Sequence, residues 1–233
     1  MKKYLFAALT ILSCNAALAQ DASQNLWIAG TQWSRNDGFT YGGVILPLEG
    51  SQLGQGAYQR HVLSHLHYAY DSYRDGENVR VRAQSPGLES ALGYAWKGDR
   101  YTLDLSAGLS LRHLSFRPFV PDDERSGWQL DLVPQLQASY RLADSLKISG
   151  VAASGVHQHS RFLRGRLAYE PESWSTGVQT TYLAGNSYRT RQYTAFAGTT
   201  LWKGMHAEIS VGRSKPESDP ASTIISLDLS NTF

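Results

Sequence analysis

Apolar and polar side chains alternate along the segment from residue 223 to residue 233. In an extended strand Leu227, Leu229 and Phe233 share one face, while Asp228 and its hydroxyl-bearing neighbours share the other. Successive side chains of a β-strand point to opposite sides, so the segment predicts a strand with one apolar and one water-facing side. A charged inner side suits a transmembrane barrel, because lipid contacts the outside of such a barrel and water fills its lumen.

Two longer segments repeat this alternation. In Tyr101–Phe116 and in Trp128–Leu142, leucine and aromatic side chains share one face, and polar or charged side chains share the other. Aromatic residues stand near an end of each apolar face, as the girdles of a membrane barrel require. A soluble sandwich would need a thick partner sheet to cover strands of this length. The pattern therefore predicts an all-β, up-and-down antiparallel transmembrane β-barrel.

The whole chain reads as about twelve strand-like segments without a second domain. From the fourth segment, Val79–Trp96, onward, short turns alternate with longer polar loops, which is typical of tight periplasmic turns and longer external loops. Pro86-Gly87 inside that segment predicts a bulge or bend. An even number of strands places both termini in the periplasm. Residues 20–233 are predicted to form the barrel.

The first nineteen residues have the features of a secretory signal peptide. Lys2 and Lys3 precede the short apolar run Tyr4–Leu12, and residues 17–19 form an Ala-Leu-Ala cleavage site. The single cysteine, Cys14, lies in this predicted leader of residues 1–19, so the mature chain is expected to contain no disulfide.

The charge of the remaining chain is balanced. The sequence has 22 lysines and arginines and 20 acidic residues, and the leader holds two of the lysines and no acid, which leaves 20 of each. This balance gives no support to nucleic-acid binding. The terminal Phe233 resembles the C-terminal strand signature of bacterial outer-membrane barrels. The predicted location is therefore the outer membrane of a Gram-negative cell.

Inward-facing charges are the candidate functional groups of such a barrel. The alternation assigns a set of arginines and one main acidic partner to the lumen. These lumen or ligand candidates are Arg80, Arg82, Arg112, Arg164, Arg166 and Asp131, with Asp104 and Glu208 as further inward acids. Fixed guanidinium groups in a narrow lumen attract anions, carboxylates in particular. The lumen is then either a path or groove for an anionic or hydroxyl-rich saccharide, or a lattice of ion pairs that plugs the barrel. Arg112 and Asp131, on neighbouring strands, are expected to pair.

Two histidine groups raise other possibilities. His61, His65 and His67 are assigned to the inner face of the third strand, where histidines two apart can hold a metal, but ordinary polar lumen residues are the expectation and no metal site or cofactor is predicted. His113 and Ser115 share an outward strand face and could act as base and nucleophile of a lipid hydrolase. No partner Asn or Glu is evident, so no catalytic residue is assigned.

Several glycine- and aromatic-rich stretches resemble the BcsS-type cellulose biosynthesis proteins. They are Leu26–Gly30, residues 39–43, residues 53–56 and Phe162–Gly198. The resemblance implies an outer-membrane component of bacterial cellulose or related exopolysaccharide production. Its role would be a non-enzymatic scaffold or conduit, with outer-membrane lipid, polysaccharide and other components of a secretion system as partners. A likeness in size and inward arginines to twelve-stranded porins for acidic oligosaccharides leaves a porin-like channel as the alternative, and the lipid hydrolase is a second alternative.

Overall fold

The computed structural model describes residues 24–74, 77–118, 126–185, 188–217 and 220–233. The predicted signal peptide, residues 1–19, lies outside the described residues. Twelve antiparallel strands account for nearly all of the described chain. They are β1 (Leu26–Trp33), β2 (Asp37–Pro47), β3 (Gly56–Arg74), β4 (Glu77–Lys97), β5 (Tyr101–Arg117), β6 (Gly127–Ala143), β7 (Leu146–Gly155), β8 (Ser160–Tyr169), β9 (Trp174–Gly185), β10 (Tyr188–Thr200), β11 (His206–Pro216) and β12 (Ser222–Thr232). Within the described ranges, no helix is long and apolar enough to cross a bilayer.

The strands close into a barrel in chain order, which confirms the predicted fold class and strand number. Each strand pairs with its sequence neighbours, and β1 pairs with β12 from Leu26–Thr232 to Trp33–Ile225. Closure leaves no open sheet edge, as a barrel in hydrocarbon requires. We call the end at which Leu26 meets Thr232 the near end, and the opposite end, with the β1–β2 turn, the far end.

The outer wall carries a continuous apolar belt. On β5 the outward residues from Tyr101 to Leu111 are apolar, and ten residue steps of about 3.3 Å at a tilt of about 45° rise roughly 23 Å. This height matches the apolar band of about 25 Å that outer-membrane barrels present to lipid. Exposed aromatic side chains stand at both rims of the belt. They are Tyr94, Trp96, Tyr101, Tyr140, Tyr169 and Trp174 toward the near end, and Trp33, Trp128 and Tyr193 toward the far end.

Three strands extend well beyond this belt at the far end. β3, β4 and β5 have 19, 21 and 17 residues, whereas a tilted strand crosses a bilayer in about 9–11. In their far parts the apolar side chains turn inward and form a buried cluster with residues of the neighbouring β2. Its members are Phe39, Tyr41, Leu66, Tyr68, Val81, Ala83, Leu114 and Phe116. The inside is therefore apolar and the outside polar, which is the arrangement of a strand whose outer face meets water or headgroups.

This inversion corrects two predicted orientations. Arg80 and Arg82 alternate with the buried Val81 and Ala83 on β4, so both arginines face outward and not into the lumen. The prediction assumed that apolar residues face outward along the whole strand, which fails where the strand leaves the bilayer.

The histidines of β3 also face outward, contrary to the inner-face assignment. His61, His65 and His67 pair with outward residues of β4, while their neighbours Arg60, Leu66 and Tyr68 are buried inside. These outward histidines stand opposite Ser90, Pro86 and Gln84.

The predicted bulge at Pro86-Gly87 is absent from the pairing. β4 keeps one register on β3 from Glu77 to Ala95, and its ladder with β5 skips Ser85 and Pro86 and resumes without a shift. Because proline has no N–H to donate, the gap in the ladder is its local effect.

The apolar belt predicts a depth-dependent cost of charge. Leu105 lies near the middle of the belt on β5 with 46% of its surface exposed on the outer wall. Leu105→Arg should lower the free energy of unfolding in lipid vesicles by about 2–4 kcal/mol, because the charge must enter hydrocarbon. Leu142→Arg, at the near end of β6, is the matched control and should cost about 0–1 kcal/mol. Equal losses at both positions in urea titrations would contradict the placement of the belt.

Candidate site in the lumen

The lumen contains four of the six predicted candidates. Arg112, Arg164, Arg166 and Asp131 all occupy inward positions of their strands, and Arg112, Arg166 and Asp131 are each only 6% exposed. Buried charges require close partners, since desolvation would otherwise disfavour the ionised form. The partners of these residues therefore determine whether the lumen is blocked or open.

One ion pair spans the barrel interior. Arg166 on β8 meets Glu208 on β11 in a two-pronged contact, with Nη1–Oε1 at 2.7 Å and Nη2–Oε2 at 2.5 Å. Two further strands, β9 and β10, separate these residues along the wall. The Arg166 guanidinium also lies 3.4 Å from the ring centroid of Phe196 on β10. Planar stacking and a paired carboxylate are the contacts that suit a buried arginine.

A second interior contact involves Arg60, which the sequence reasoning missed. Arg60 on β3 donates to Glu89 Oε1 at 2.7 Å and to Gln135 Oε1 at 2.8 Å. Gln135 is on β6, so this contact also joins strands that are not neighbours in the wall. The signal for Arg60 was present in the sequence, because it alternates with the histidines that were assigned to the inside. Reversing that one assignment would have placed Arg60 in the lumen.

The predicted pair of Arg112 and Asp131 does not form. Arg112 Nη2 donates to Ser64 Oγ at 3.0 Å, and Asp131 Oδ1 accepts the backbone N–H of His157 at 2.7 Å. The register places Arg112 opposite Gln129 and Asp131 opposite Ser110, so the two side chains start from different levels and turn apart. Asp131 therefore holds the β7–β8 turn in place.

Inward glycines let side chains reach past a neighbouring strand. Tyr41 on β2 passes over Gly30 on β1 and donates to Asp228 on β12. A Cβ built on Gly30 would overlap the tyrosine oxygen, so a larger residue there would displace the Tyr41 side chain. Alternating small and large inward residues fills narrow barrels in this way.

Side chains also pass over inward glycines between β3 and β5. Arg112 on β5 reaches Ser64 on β3 over Gly87, and a Cβ on Gly87 would approach the arginine Cγ to 2.8 Å. Tyr58 on β3 reaches Asp104 on β5 at 2.7 Å over Gly93. Polar residues two strands apart, with glycine between them, are thus tied together inside the barrel.

Two cavities meet inside the barrel at His206. A vestibule of about 720 Å³ opens at the near end among the strand turns, and Lys147, Glu170 and Trp174 help to line it. A cavity of about 60 Å³ lies farther in, beside Arg164 and Arg166. His206 lines both. A cavity of this size holds a few water molecules. The lumen is therefore wide at the near end and narrow at the Arg166–Glu208 pair.

The inner cavity has hydrogen-bonding walls. Amide and hydroxyl side chains of β9 to β12 line it together with the charged groups. They are Gln179, Thr181, Gln192, Ser210, Ser226 and Ser230. The Nε–H of Arg166 has no hydrogen-bond partner among the described residues. These groups can donate to and accept from water or sugar hydroxyls.

The remaining sequence candidates do not form a reactive centre in the described part of the chain. His113 and Ser115 face outward, and the His113 ring packs edge-on against Trp128 at 5.0 Å. No group of three or more potential metal ligands occurs within the described ranges.

A double-mutant cycle tests whether Arg166 and Glu208 are energetically coupled. Arg166→Met leaves Glu208 buried and unpaired, and Glu208→Leu leaves Arg166 unpaired, so each change should cost about 3–5 kcal/mol of unfolding free energy. The double variant removes both charges and should cost much less than the sum, because no unpaired ion remains. Urea titration of the refolded barrel measures all four members of this cycle. Simple additivity of the two losses would show that the pair is not coupled.

Comparisons with known proteins agree with this architecture. The fold resembles a solved KdgM porin with a TM-score of 0.59 and 11% identity, over 89% of this chain and 99% of that one. It also resembles an outer membrane channel from Pseudomonas putida F1, with a TM-score of 0.57 and 13% identity over 96% of this chain and 100% of that one. The β domain of the Bordetella autotransporter BrkA gives a TM-score of 0.56 and 13% identity over 91% and 100%. At these identities the likeness establishes the outer-membrane barrel fold alone.

The family of the chain follows from its sequence. No curated protein sequence matches the chain. The family model for "Cellulose biosynthesis protein BcsS" matches residues 26–222, which confirms the resemblance inferred from the glycine- and aromatic-rich stretches. The match covers most of the chain, and the chain therefore belongs to the BcsS family of cellulose biosynthesis proteins.

Proposed function

We propose that this protein is a non-enzymatic scaffold of the cellulose secretion machinery, held in the outer membrane with its near end in the periplasm. The family match supports a role in cellulose production, and the outer-membrane barrel fold supports the location. The observation that carries the choice of scaffold over open conduit is the Arg166–Glu208 pair, which crosses part of the lumen beside a cavity of about 60 Å³.

The near-end vestibule is the part of the scaffold suited to polysaccharide or to a protein of the secretion machinery. It offers charged groups at Arg141, Lys147 and Glu170 together with hydroxyl groups at Thr102 and Ser139. Such groups can donate hydrogen bonds to sugar hydroxyls and accept hydrogen bonds from them. A closed lumen behind the vestibule keeps the membrane sealed while the partner is bound.

A porin-like channel for anionic oligosaccharides is the second candidate. Arg112, Arg164 and Arg166 all point inward, and a similar barrel, the KdgM porin, has been solved in complex with disordered oligogalacturonate. Conduction requires that the crossing pair separate or that a path run beside it. The proposed scaffold and this channel differ in conductance, which can be measured directly.

The lipid hydrolase has no supporting geometry. His113 packs on Trp128 and has no acidic partner within the described residues, so the pair lacks the group that would orient a catalytic base. We therefore propose no catalytic residue.

Deletion of the gene in a cellulose-producing strain tests the scaffold. Cellulose at the cell surface, measured by dye binding, should fall when the barrel is absent and return with the wild-type gene. The matched control is complementation with Ser210→Ala/Ser226→Ala. This variant removes the hydrogen bond between the two serine Oγ atoms on β11 and β12, which lie 2.6 Å apart, and leaves the Arg166–Glu208 pair intact. Unchanged dye binding in the deletion strain, with the neighbouring genes still expressed, would overturn the proposed role.

Planar-bilayer recording distinguishes the closed scaffold from the channel. The wild-type barrel should conduct little, and Arg166→Ala/Glu208→Ala should raise the conductance because it removes both crossing side chains without leaving a buried charge. The Ser210→Ala/Ser226→Ala control should remain as closed as wild type. Large, anion-selective wild-type currents that lose selectivity in Arg112→Ser and Arg164→Ser would instead establish the channel.

A further inference from the structure

The outward face of the barrel has a strongly asymmetric charge distribution. In the near half, no outward-facing strand residue within the described ranges is charged. In the far half, eight outward strand positions carry arginine or lysine. They are Arg80, Arg82, Arg117, Arg161, Arg189, Arg191, Arg213 and Lys215, which we call the cationic collar. All eight side chains are exposed.

Two members of the collar are neutralised by acids on the same face. Arg80 meets Asp71 at 2.9 Å, and Arg189 meets Glu217 at 3.8 Å. Four other members of the collar form no ion pair with a described residue. They are Arg82, Arg117, Arg191 and Lys215. The collar thus has a net positive charge that the described chain does not balance.

The unpaired cations stand directly opposite one another across strands. Arg82 on β4 is the register partner of Arg117 on β5, and Arg191 on β10 is the register partner of Lys215 on β11. Like charges directly opposite each other destabilise a sheet. Two such pairs on different walls of one barrel are stabilised where an anion lies between the cations. A phosphate or carboxylate group accepts hydrogen bonds from both members and converts the repulsion into attraction.

The height of the collar identifies the anion. On β5, Arg117 lies six residues beyond Leu111, the last outward leucine, and this distance is roughly 14 Å along the barrel axis at a tilt of about 45°. That level is above the hydrocarbon and within the headgroup layer. The inward apolar cluster on β3–β5 lies at the same level, which agrees with a wet outer face there. In the outer leaflet of an outer membrane, this layer contains the phosphates and acidic sugars of lipopolysaccharide.

We propose that the cationic collar is a binding site for the anionic headgroups of lipopolysaccharide, with the Arg82–Arg117 and Arg191–Lys215 pairs as its two main contacts. The inference rests on the proposed orientation, with the far end outside, and it is independent of the role in cellulose production. Bound glycolipid holds the barrel at a defined height and screens the repulsion within the two pairs.

Lipopolysaccharide binding by the purified full-length barrel tests the site. The test variant is Arg82→Gln/Arg117→Gln/Arg191→Gln/Lys215→Gln. The matched control is Arg80→Gln/Asp71→Asn/Arg189→Gln/Glu217→Gln, which also changes four collar-level charges but removes only residues that are already paired. Affinity for lipopolysaccharide, measured by titration in detergent, should fall roughly tenfold or more in the test variant and stay near wild type in the control.

Two further titrations use only the wild-type protein and therefore test the site even if the test variant does not fold. Wild-type protein should bind dephosphorylated lipopolysaccharide less tightly than the intact glycolipid, and its affinity for the intact form should fall with salt. Phosphatidylglycerol vesicles and inorganic phosphate should compete poorly, because each molecule carries one anionic group and lacks the additional phosphates and acidic sugars with which lipopolysaccharide contacts neighbouring cations of the collar. Equal binding of intact and dephosphorylated glycolipid by wild type would overturn the proposal, as would competition by phosphatidylglycerol at equal concentration.

The outcome can be separated from that of the cellulose experiment. A strain carrying the test variant should retain dye binding if the folded barrel reaches the membrane, which a heat-modifiable mobility shift in gel electrophoresis checks. Loss of glycolipid affinity with dye binding retained supports the site alone, whereas retained affinity in the test variant overturns it whatever the dye binding.

Discussion

Backbone hydrogen bonding in hydrocarbon is the constraint on which the structure depends. No water is available there to satisfy N–H and C=O groups, so every strand needs a partner on both sides. The pairing of β1 with β12 meets this requirement by joining the first strand to the last. Once the ring is closed, every side chain within the membrane faces either lipid or the lumen, and the alternation of the sequence follows from that choice.

A closed ring of twelve strands encloses charged groups in a lumen where little water can solvate them. The barrel resolves this conflict with contacts between strands that are not neighbours in the wall. Arg166 reaches Glu208, and Arg60 reaches Gln135, across the interior. Other side chains pass over inward glycines to the second strand along. The polar interior therefore acts as a core, and these contacts hold together strands three positions apart in the wall, as apolar contacts do in a soluble protein.

The predictable part of the fold is the part that lies within the bilayer. The alternation in Tyr101–Phe116, in Trp128–Leu142 and in the last strand identified the barrel, because lipid outside and water inside impose opposite chemistry on successive residues. Arg112, Arg164 and Arg166 were assigned inward on the same rule, and the structure places them there. Their roles as ligand-binding residues remain a prediction.

The same rule failed where its physical premise fails. β3 and β4 extend past the membrane, where the apolar side chains turn inward and Arg80 and Arg82 face outward. The assignment of histidines to the inner face of β3 made the same error, and it concealed Arg60. Partner choice inside the lumen was not predictable either, because strand register and the glycines between strands decide which side chains meet. Arg112 and Asp131 have opposite charges on adjacent strands, yet their levels in the ladder separate them.

The inversion of polarity and the cationic collar are two independent measures of where the bilayer ends. The first is read from the inside of the barrel, where Val81 and Phe116 become buried among apolar neighbours. The second is read from the outside, where arginines replace leucines at outward positions. Both place the boundary beyond Leu88 on β4 and Leu111 on β5. The near half shows neither feature, since its outward strand positions are uncharged in the described chain. A barrel between two equivalent leaflets would have no reason for this difference. An outer membrane has one leaflet of phospholipid and one of highly charged glycolipid, and the asymmetry of the wall corresponds to that difference when the far end faces outward.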